Sequence, residues 1–247
     1  MDKQEPQEKS IDPRGVKIAY TLCAAFGIGL ILFLLVPTLL GIWTVYDVAL
    51  VICLTLLYVA PAYATNGSMV IFGRHGTPID GGRNFWDGKR IFGDGKTWQG
   101  TIGGIITGTI VGIIFLLISQ FLIWPYLQIQ ISLYPMKLAD TAADVAYLQA
   151  FLNPIFIIGV LRGFLLSLGT PIGDMIGSFF KRRFNLERGA PAPIVDQLDF
   201  LLGAILFAYI VFPLRWEYFI FALLVTLLIH ILANTVGYKL GYKKVPW

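Results

Sequence analysis

Residues 101–124 read TIGGIITGTIVGIIFLLISQFLIW, and this stretch decides the class of fold. It contains no charged side chain, and it exceeds the roughly 20 apolar residues that a helix needs to cross the hydrocarbon core of a bilayer. Gly104, Gly108 and Gly112 recur every four residues, so they share one helix face, where small residues let a second helix approach closely. The stretch therefore predicts a membrane-spanning helix that packs tightly against a neighbour.

The rest of the chain is similarly apolar. Its 247 residues are 56% hydrophobic and only 14% charged, and the mean hydropathy of +0.72 is typical of a polytopic membrane protein. We predict an all-α polytopic integral membrane protein with six transmembrane helices, or five if the short run 198–213 does not cross. Residues 1–16 would be a polar tail, and residues 17–247 a single transmembrane domain. The apolar runs are residues 17–42, 45–72, 101–124, 151–180, 198–213 and 218–238.

The basic residues predict the orientation. With six helices and both termini inside, all but three of the 19 Lys and Arg residues lie on the inner side. Positive charge accumulates on the cytoplasmic side of membrane proteins. We therefore expect a multi-pass protein of the cell membrane whose polar loops, residues 73–100 and 181–197, face the cytoplasm. Segment 125–147 then faces outward, and the sequence assigns no role to it. The three exceptions are Lys137, Arg162 and Arg215.

Composition argues against several kinds of site. Cys23 and Cys53 lie inside apolar runs, which argues against a disulfide framework or a zinc site. His75 and His230 are far apart in the sequence, so no histidine pair has metal-ligand spacing. No basic arm with interleaved aromatic residues is present, and we expect no nucleic-acid partner.

The first polar cluster is the glycine-rich loop 73–100, which carries three acids among five bases. Its glycines let the backbone present N–H groups to an anion, and Thr97 stands where a hydroxyl can cap the next helix. A P-loop is not indicated, because Arg90 occupies the position of its first glycine and no strand precedes the loop. We predict a phosphate-binding loop of another kind, with Lys89, Arg90 and Lys96 as its basic groups.

The second polar cluster spans residues 173–199. Asp174, Ser178 and Lys181 are spaced four and then three apart, so they share one helix face. Asp196 and Asp199 share a face if a helix begins near Pro193. Two carboxylates one turn apart suit Mg²⁺, which binds one or two protein carboxylates together with substrate phosphates.

These motifs resemble those of a known family. Residues 78–81 (PIDG) and 88–100 (GKRIFGDGKTWQG) are similar to the first signature of the CDP-archaeol synthases. Residues 173–174 (GD), 178–183 (SFFKRR), 196–200 (DQLDF) and 245–247 (VPW) are similar to the rest of that family's pattern. The resemblance extends from about Pro61 to the C-terminus. A distant similarity to the phosphatidate cytidylyltransferases breaks at Gln197, where arginine is usual.

The resemblance implies a Mg²⁺-dependent membrane transferase that moves CMP from CTP to a polyprenylated glycerol phosphate. Mg²⁺ would be held by Asp196 and Asp199, together with Asp174. Lys181 or Arg182 would hold the lipid phosphate. The nucleotide would be bound by Asn66, Lys89, Arg90, Asp94, Lys96 and Thr97.

Two alternatives remain at this point. A CDP-alcohol phosphotransferase would use a denser run of aspartates on one helix pair, which the sequence does not contain. A transporter would need polar groups deep in several spans, whereas here the acids and bases gather mainly at one face. The sequence predicts neither the metal number nor the oligomeric state.

Overall fold

The computed structural model describes residues 13–185 and 194–239, and it is all-α over these ranges. A short π-helical segment, Ser119–Ile123, joins the third and fourth helices into one rod. Residues 1–12, 186–193 and 240–247, which include part of the predicted tail and the C-terminal VPW motif, lie outside the described residues. The helices are α1 Pro13–Leu39, α2 Val45–Phe72, α3 Trp98–Ile118, α4 Trp124–Leu133, α5 Ala142–Leu152, α6 Phe156–Arg183, α7 Val195–Ala208 and α8 Trp216–Lys239.

Five segments of the described chain are long and apolar enough to cross a membrane, so a count of six is not confirmed. Helix α7 has 14 residues and is about 21 Å long, against roughly 30 Å of hydrocarbon. It nevertheless connects the two ends of the bundle. Asp196 in its first turn pairs with Lys181 at the end of α6, and the chain beyond it reaches α5, where Arg215 pairs with Asp144. The five segments are Lys17–Leu39, Val45–Phe72, Trp98–Leu133, Phe156–Arg183 and Trp216–Val236.

The glycine pattern of α3 packs as predicted. Gly100, Gly104, Gly108 and Gly112 are all buried. A β-carbon added to Gly112 would lie 2.9 Å from the Cα of Gly163 on α6. The remaining glycines of the stripe face α2. Small residues therefore bring α2, α3 and α6 into backbone contact, as expected for helices packed in lipid.

A second stripe joins α6 to α7. Added β-carbons on Gly169 and Gly173 would overlap backbone oxygens of Gly203 and Asp199, respectively. The two helix backbones thus touch along this stripe. This contact places the first turn of α7 beside the last turns of α6.

The opposite end of the bundle differs from expectation. Segment 125–147 is largely helical, in α4 and α5, and the run 151–180 is broken at Asn153. The break has a local cause, because the residue before a proline, here Pro154, disfavours helix. Asp47 fixes this end: it caps α2 and accepts hydrogen bonds from the backbone N–H groups of Lys137 (3.0 Å) and Leu138 (2.8 Å).

Candidate active site

Asp80 organises the loop between α2 and α3. Its carboxylate accepts hydrogen bonds from the backbone N–H groups of Gly82, Phe92 and Gly93, at 3.1, 3.1 and 2.9 Å. Arg90 adds two more from its guanidinium, at 3.3 and 2.8 Å. Burial alone would raise the pKa of Asp80, but these donors, Arg90 first, outweigh it and hold the pKa well below its usual range. The ionised carboxylate therefore shapes the loop.

Arg183 holds the loop against the end of α6. Its guanidinium lies over the rings of Phe85 and Phe179, at 4.6 and 3.8 Å from their centroids. It also donates a hydrogen bond to the carbonyl of Arg90 (3.0 Å) and pairs with Asp87 (3.1 Å). In return, Lys89 Nζ donates to the carbonyl oxygen of Arg183 (2.9 Å). A planar guanidinium can make all of these contacts at once, whereas an ammonium group cannot.

A basic pocket of about 200 Å³ lies between this loop and α6. On the loop side, Gly93 has a φ of 107°, a conformation that side chains rarely adopt. On the α6 side, Ser178, Lys181 and Arg182 come from one helix face. The three basic side chains, Lys96, Lys181 and Arg182, make this a site for an anion. The lining residues are Phe92, Gly93, Asp94, Gly95, Lys96, Ser178, Lys181 and Arg182.

Acids of the second cluster pair with the bases of this pocket. Lys96 forms an ion pair with Asp174 of α6. Lys181 Nζ lies 2.6 Å from Oδ1 of Asp196. The two polar clusters predicted from the sequence thus meet at one end of the bundle. The sequence could not predict this pairing, because 78 positions separate Lys96 from Asp174.

Asp199 is the carboxylate that keeps an unused oxygen. Its Oδ1 accepts a hydrogen bond from the backbone N–H of Phe200 (2.7 Å). Its Oδ2 is buried and has no hydrogen-bond partner among the described residues. Leaving a buried charged oxygen unpaired is costly, so this atom marks a position for a cation.

An apolar groove of about 410 Å³ lies between α6 and α7, with Asp199 in its lining. The rest of the lining is almost entirely hydrocarbon. Such a groove suits a lipid chain, and it shares α6 with the basic pocket. The lining residues are Gly173, Ile176, Gly177, Phe180, Ile194, Leu198, Asp199, Leu202, Gly203 and Leu206.

Some residues that were predicted to bind the nucleotide do not line the basic pocket. Thr97 is 4% exposed and caps α3, accepting a hydrogen bond from the N–H of Gly100 (3.2 Å). Lys89 and Arg90 hold the loop and do not line the basic pocket. Asn66, half-buried on α2, lines neither the pocket nor the groove. Nucleotide contacts by these four residues stay predictions.

Sequence reasoning assigned no site role to Asp80 or Arg183, and it considered Gly177 only as a small residue that lets backbone or ligand approach the Asp174 carboxylate. The Asp-Gly-Gly sequence at residues 80–82 was the available signal for Asp80, because aspartate before glycines is typical of a turn in which the side chain accepts backbone hydrogen bonds. Arg183 was indistinguishable from its basic neighbours. Gly177 belonged to a stripe that indicates helix packing.

The donor set fits Mg²⁺. The described residues contain no group of three or more His, Cys, Asp or Glu side chains arranged around a common metal position. Mg²⁺ does not need one, because it keeps several waters and binds one or two carboxylates plus phosphates. Oδ2 of Asp199 offers one such ligand, and the negative charge of Asp174 acts on the same carboxyl group.

Comparisons with known proteins agree with this geometry. Residues 48–247 match the family model described as CarS-like, CDP-archaeol synthase. The chain is 43% identical over 193 residues to the CDP-archaeol synthase of Methanocaldococcus jannaschii, covering 78% of this chain and 96% of that one. It is 44% identical over 194 residues to the CDP-archaeol synthase of Pyrococcus horikoshii, covering 77% and 94%.

A solved structure of an intramembrane enzyme for archaeal membrane lipids biosynthesis is also similar. It shares 30% sequence identity and a TM-score of 0.55, over 72% of this chain and 91% of that one. Helix α1 lies before the matched residues 48–247. The rest of the bundle, including both polar clusters, lies within them, and the chain belongs to the CDP-archaeol synthase family.

Proposed function

We propose that this protein transfers CMP from CTP to the phosphate of a glycerol ether lipid with isoprenoid chains, giving a CDP-archaeol-type lipid and pyrophosphate. The names of its relatives support this activity. The observation that carries it is the junction at α6, where the basic pocket and the apolar groove lie on adjacent helix faces. A polar nucleotide and an amphipathic lipid phosphate would meet there.

The reaction needs little help from a general base. A phosphomonoester is already anionic near neutral pH, so one of its oxygens attacks the α-phosphorus of CTP directly. A new P–O bond forms as the bond from the α-phosphorus to the bridging oxygen breaks, and pyrophosphate leaves with that electron pair. Catalysis then depends mainly on positioning and on neutralising charge.

The basic pocket would supply the positive charge. Lys96, Lys181 and Arg182 line it together, and we assign them to the phosphates of both substrates. Lys96 and Lys181 are ion-paired to Asp174 and Asp196. Phosphate oxygens would compete for these lysines and leave the two carboxylates available for other ligands.

The acids would hold the metal. Asp199 would bind Mg²⁺, with Asp174 or Asp196 as a second carboxylate ligand once phosphate has displaced it from its lysine. The bound ion would neutralise negative charge on the phosphates. This chain's own residues do the rest: the loop encloses the nucleotide, and α6 sets the distance between pocket and groove. Groove residues would bury the start of an isoprenoid chain and exclude water.

The polar end would face the cytoplasm of the cell. Nucleotides are found there, and the distribution of lysine and arginine favours this orientation. The protein would then take CTP from solution and its lipid substrate sideways, from the membrane. The outlet of the apolar groove between α6 and α7 is consistent with sideways entry.

Detergent-purified protein incubated with labelled CTP, Mg²⁺ and geranylgeranylglyceryl phosphate tests the proposal. We expect label in a lipid product and release of pyrophosphate. A parallel reaction with diacyl phosphatidate measures how selective the groove is. Absence of labelled lipid in both reactions, from protein with an intact thermal transition, would contradict the proposed function.

A further inference from the structure

Three glycines of α6 touch α7, but they meet different atoms. A β-carbon on Gly169 would overlap the backbone carbonyl oxygen of Gly203, and one on Gly173 that of Asp199. A β-carbon on Gly177 would overlap a side-chain atom instead, the Oδ2 of Asp199, and would lie 3.0 Å from its Cγ. Gly177 is therefore the glycine of this stripe whose missing side chain faces the Asp199 carboxylate.

The atom facing Gly177 is also the unused one. Oδ1 of Asp199 accepts the hydrogen bond from Phe200, whereas Oδ2 is buried without a hydrogen-bond partner among the described residues. Asp174 lies one turn before Gly177 on the same helix, and its negative charge acts on Asp199.

We propose that Gly177 is a positioning residue for the metal ligand: the absence of a side chain there leaves the room that the buried Oδ2 of the Asp199 carboxylate occupies. The inference rests on the proposed function, which assigns a divalent cation to Asp199. Mg²⁺ binds carboxylate oxygens at about 2.1 Å, so its ligand has to be held closely in place. A methyl group at residue 177 would push the Asp199 carboxylate out of this position.

The position of Gly177 on α6 supports a role beyond packing. Ser178, Lys181 and Arg182 of α6 line the basic pocket, while Gly177 and Phe180 line the apolar groove. With a helical rotation of about 100° per residue, residue 177 lies at the border between these two faces. A side chain there would separate the groove from the pocket at the point where the two substrates must react.

Mn²⁺ binding by the purified protein, without CTP or lipid, tests the proposal. The electron paramagnetic resonance signal of the free ion reports the affinity directly, independently of turnover. We expect Gly177→Ala to weaken Mn²⁺ binding on the order of 10- to 100-fold, as for other residues that support a metal ligand. Asp199→Asn should weaken it at least as much.

Gly169→Ala is the matched control. Its methyl group also overlaps an oxygen of α7, but a backbone oxygen away from Asp199. Both variants should lose thermal stability, whereas Gly169→Ala should bind Mn²⁺ within about twofold of the unchanged protein, since it leaves the ligand alone. An equal Mn²⁺ affinity in Gly177→Ala and Gly169→Ala would mean that Gly177 only packs, and would overturn the proposal.

A compensating pair keeps the test decisive if Gly177→Ala does not fold. The three atoms nearest to the added methyl group are Oδ2, Cβ and Cγ of Asp199. Asp199→Gly removes all three, so the double variant Gly177→Ala with Asp199→Gly should fold again. Failure of this pair to fold would place the clash elsewhere and contradict the inference. If the unchanged protein and Asp199→Asn bind Mn²⁺ equally, the assignment of metal to Asp199 fails as well. Labelled-lipid formation, measured separately, decides whether the transferase activity itself stands.

Discussion

Asp47 and Asp199 lie at opposite ends of the bundle, and their carboxylates accept different numbers of hydrogen bonds. Asp47 is fully buried, and its two oxygens accept hydrogen bonds from the N–H and hydroxyl of Thr44 and from the N–H groups of Lys137 and Leu138. Asp199 has one hydrogen bond, from Phe200, and one buried oxygen without a hydrogen-bond partner among the described residues. The first carboxylate holds two chain segments together, and the second is left for a ligand.

The number of partners therefore separates a structural acid from a functional one better than burial does. Asp80 follows the same rule at the polar end, where five donors make it part of the loop's framework. Glu217 qualifies the rule: it also has a buried unpartnered oxygen, but it lines neither the basic pocket nor the apolar groove. A buried carboxylate oxygen without a partner indicates a functional acid when that acid also lines a space large enough for a substrate.

Asp199→Asn tests the functional side of this comparison and should have the largest effect. We expect turnover to fall by about a thousandfold, because stabilisation of phosphoryl charge by a metal is worth several kcal/mol. Thermal stability should be kept or should rise, because the neutral amide removes an unpaired buried charge. Labelled-lipid formation and a thermal melt in detergent measure the two quantities. A large loss of stability would assign Asp199 to the framework instead.

Asp47→Ala should show the reverse pattern. Losing the cap of α2 and the bonds to Lys137 and Leu138 leaves buried N–H groups unpaired, and we expect a cost of about 3 kcal/mol in the free energy of unfolding. Transfer activity per folded molecule should stay within about twofold, since the site lies at the other end. A selective loss of activity in a fully folded variant would break the comparison.

Arg183→Lys tests whether the loop is held in place by the planar guanidinium group of Arg183 or only by its positive charge. Lysine keeps the positive charge but not the planar group that stacks on Phe85 and Phe179 and bonds to Arg90. We expect KM for CTP to rise about tenfold with a smaller change in kcat, because one wall of the basic pocket loosens. Steady-state kinetics with varied CTP measures this. An unchanged KM would mean that charge alone is required.

Asp80 should give the smallest effect, and one that depends on pH. Its pKa is lowered in the folded protein, so its stabilisation of the loop is fully present above the unfolded pKa of about 4. Below that value it is lost progressively, as the pH falls toward the lower folded pKa. We expect hydrogen exchange at Phe92 and Gly93, corrected for intrinsic rates, to accelerate a few-fold below about pH 4. Asp80→Asn should remove this pH dependence, and a retained dependence would implicate another acid.

Periodic features were predicted well from the sequence. The five long helical segments follow from apolar runs with few charges, and the packed face of α3 follows from glycines at every fourth position. The shared face of Asp174, Ser178 and Lys181 follows from helical spacing, and α6 is continuous through all three. Thr97 was predicted as the cap of α3 and is one. These are local properties, set by residues within one or two helical turns.

Contacts between distant segments were not predictable in this way. The structure gives Lys89 and Arg90 the partners Arg183, Asp80 and Asp94, which their spacing did not indicate. Their contact with phosphate stays a prediction. The role of a basic side chain depends on which acceptors the tertiary structure places beside it, and the spacing of residues along the chain does not indicate these acceptors. The helices α4 and α5 were likewise missed, because segment 125–147 mixes polar and apolar residues without a strong period.

By itself, the sequence determined that the chain is a multi-pass membrane protein and approximately where its five long apolar segments lie, because hydropathy and helical period act over short distances. It also predicted two polar clusters as the candidate site. Only the tertiary structure decided which of the acids is left with an unused oxygen. Gly177, Asp199 and Phe200 produce that result together. It arises where the backbones of α6 and α7 touch, and the satisfaction of a buried oxygen depends on every atom that packs around it.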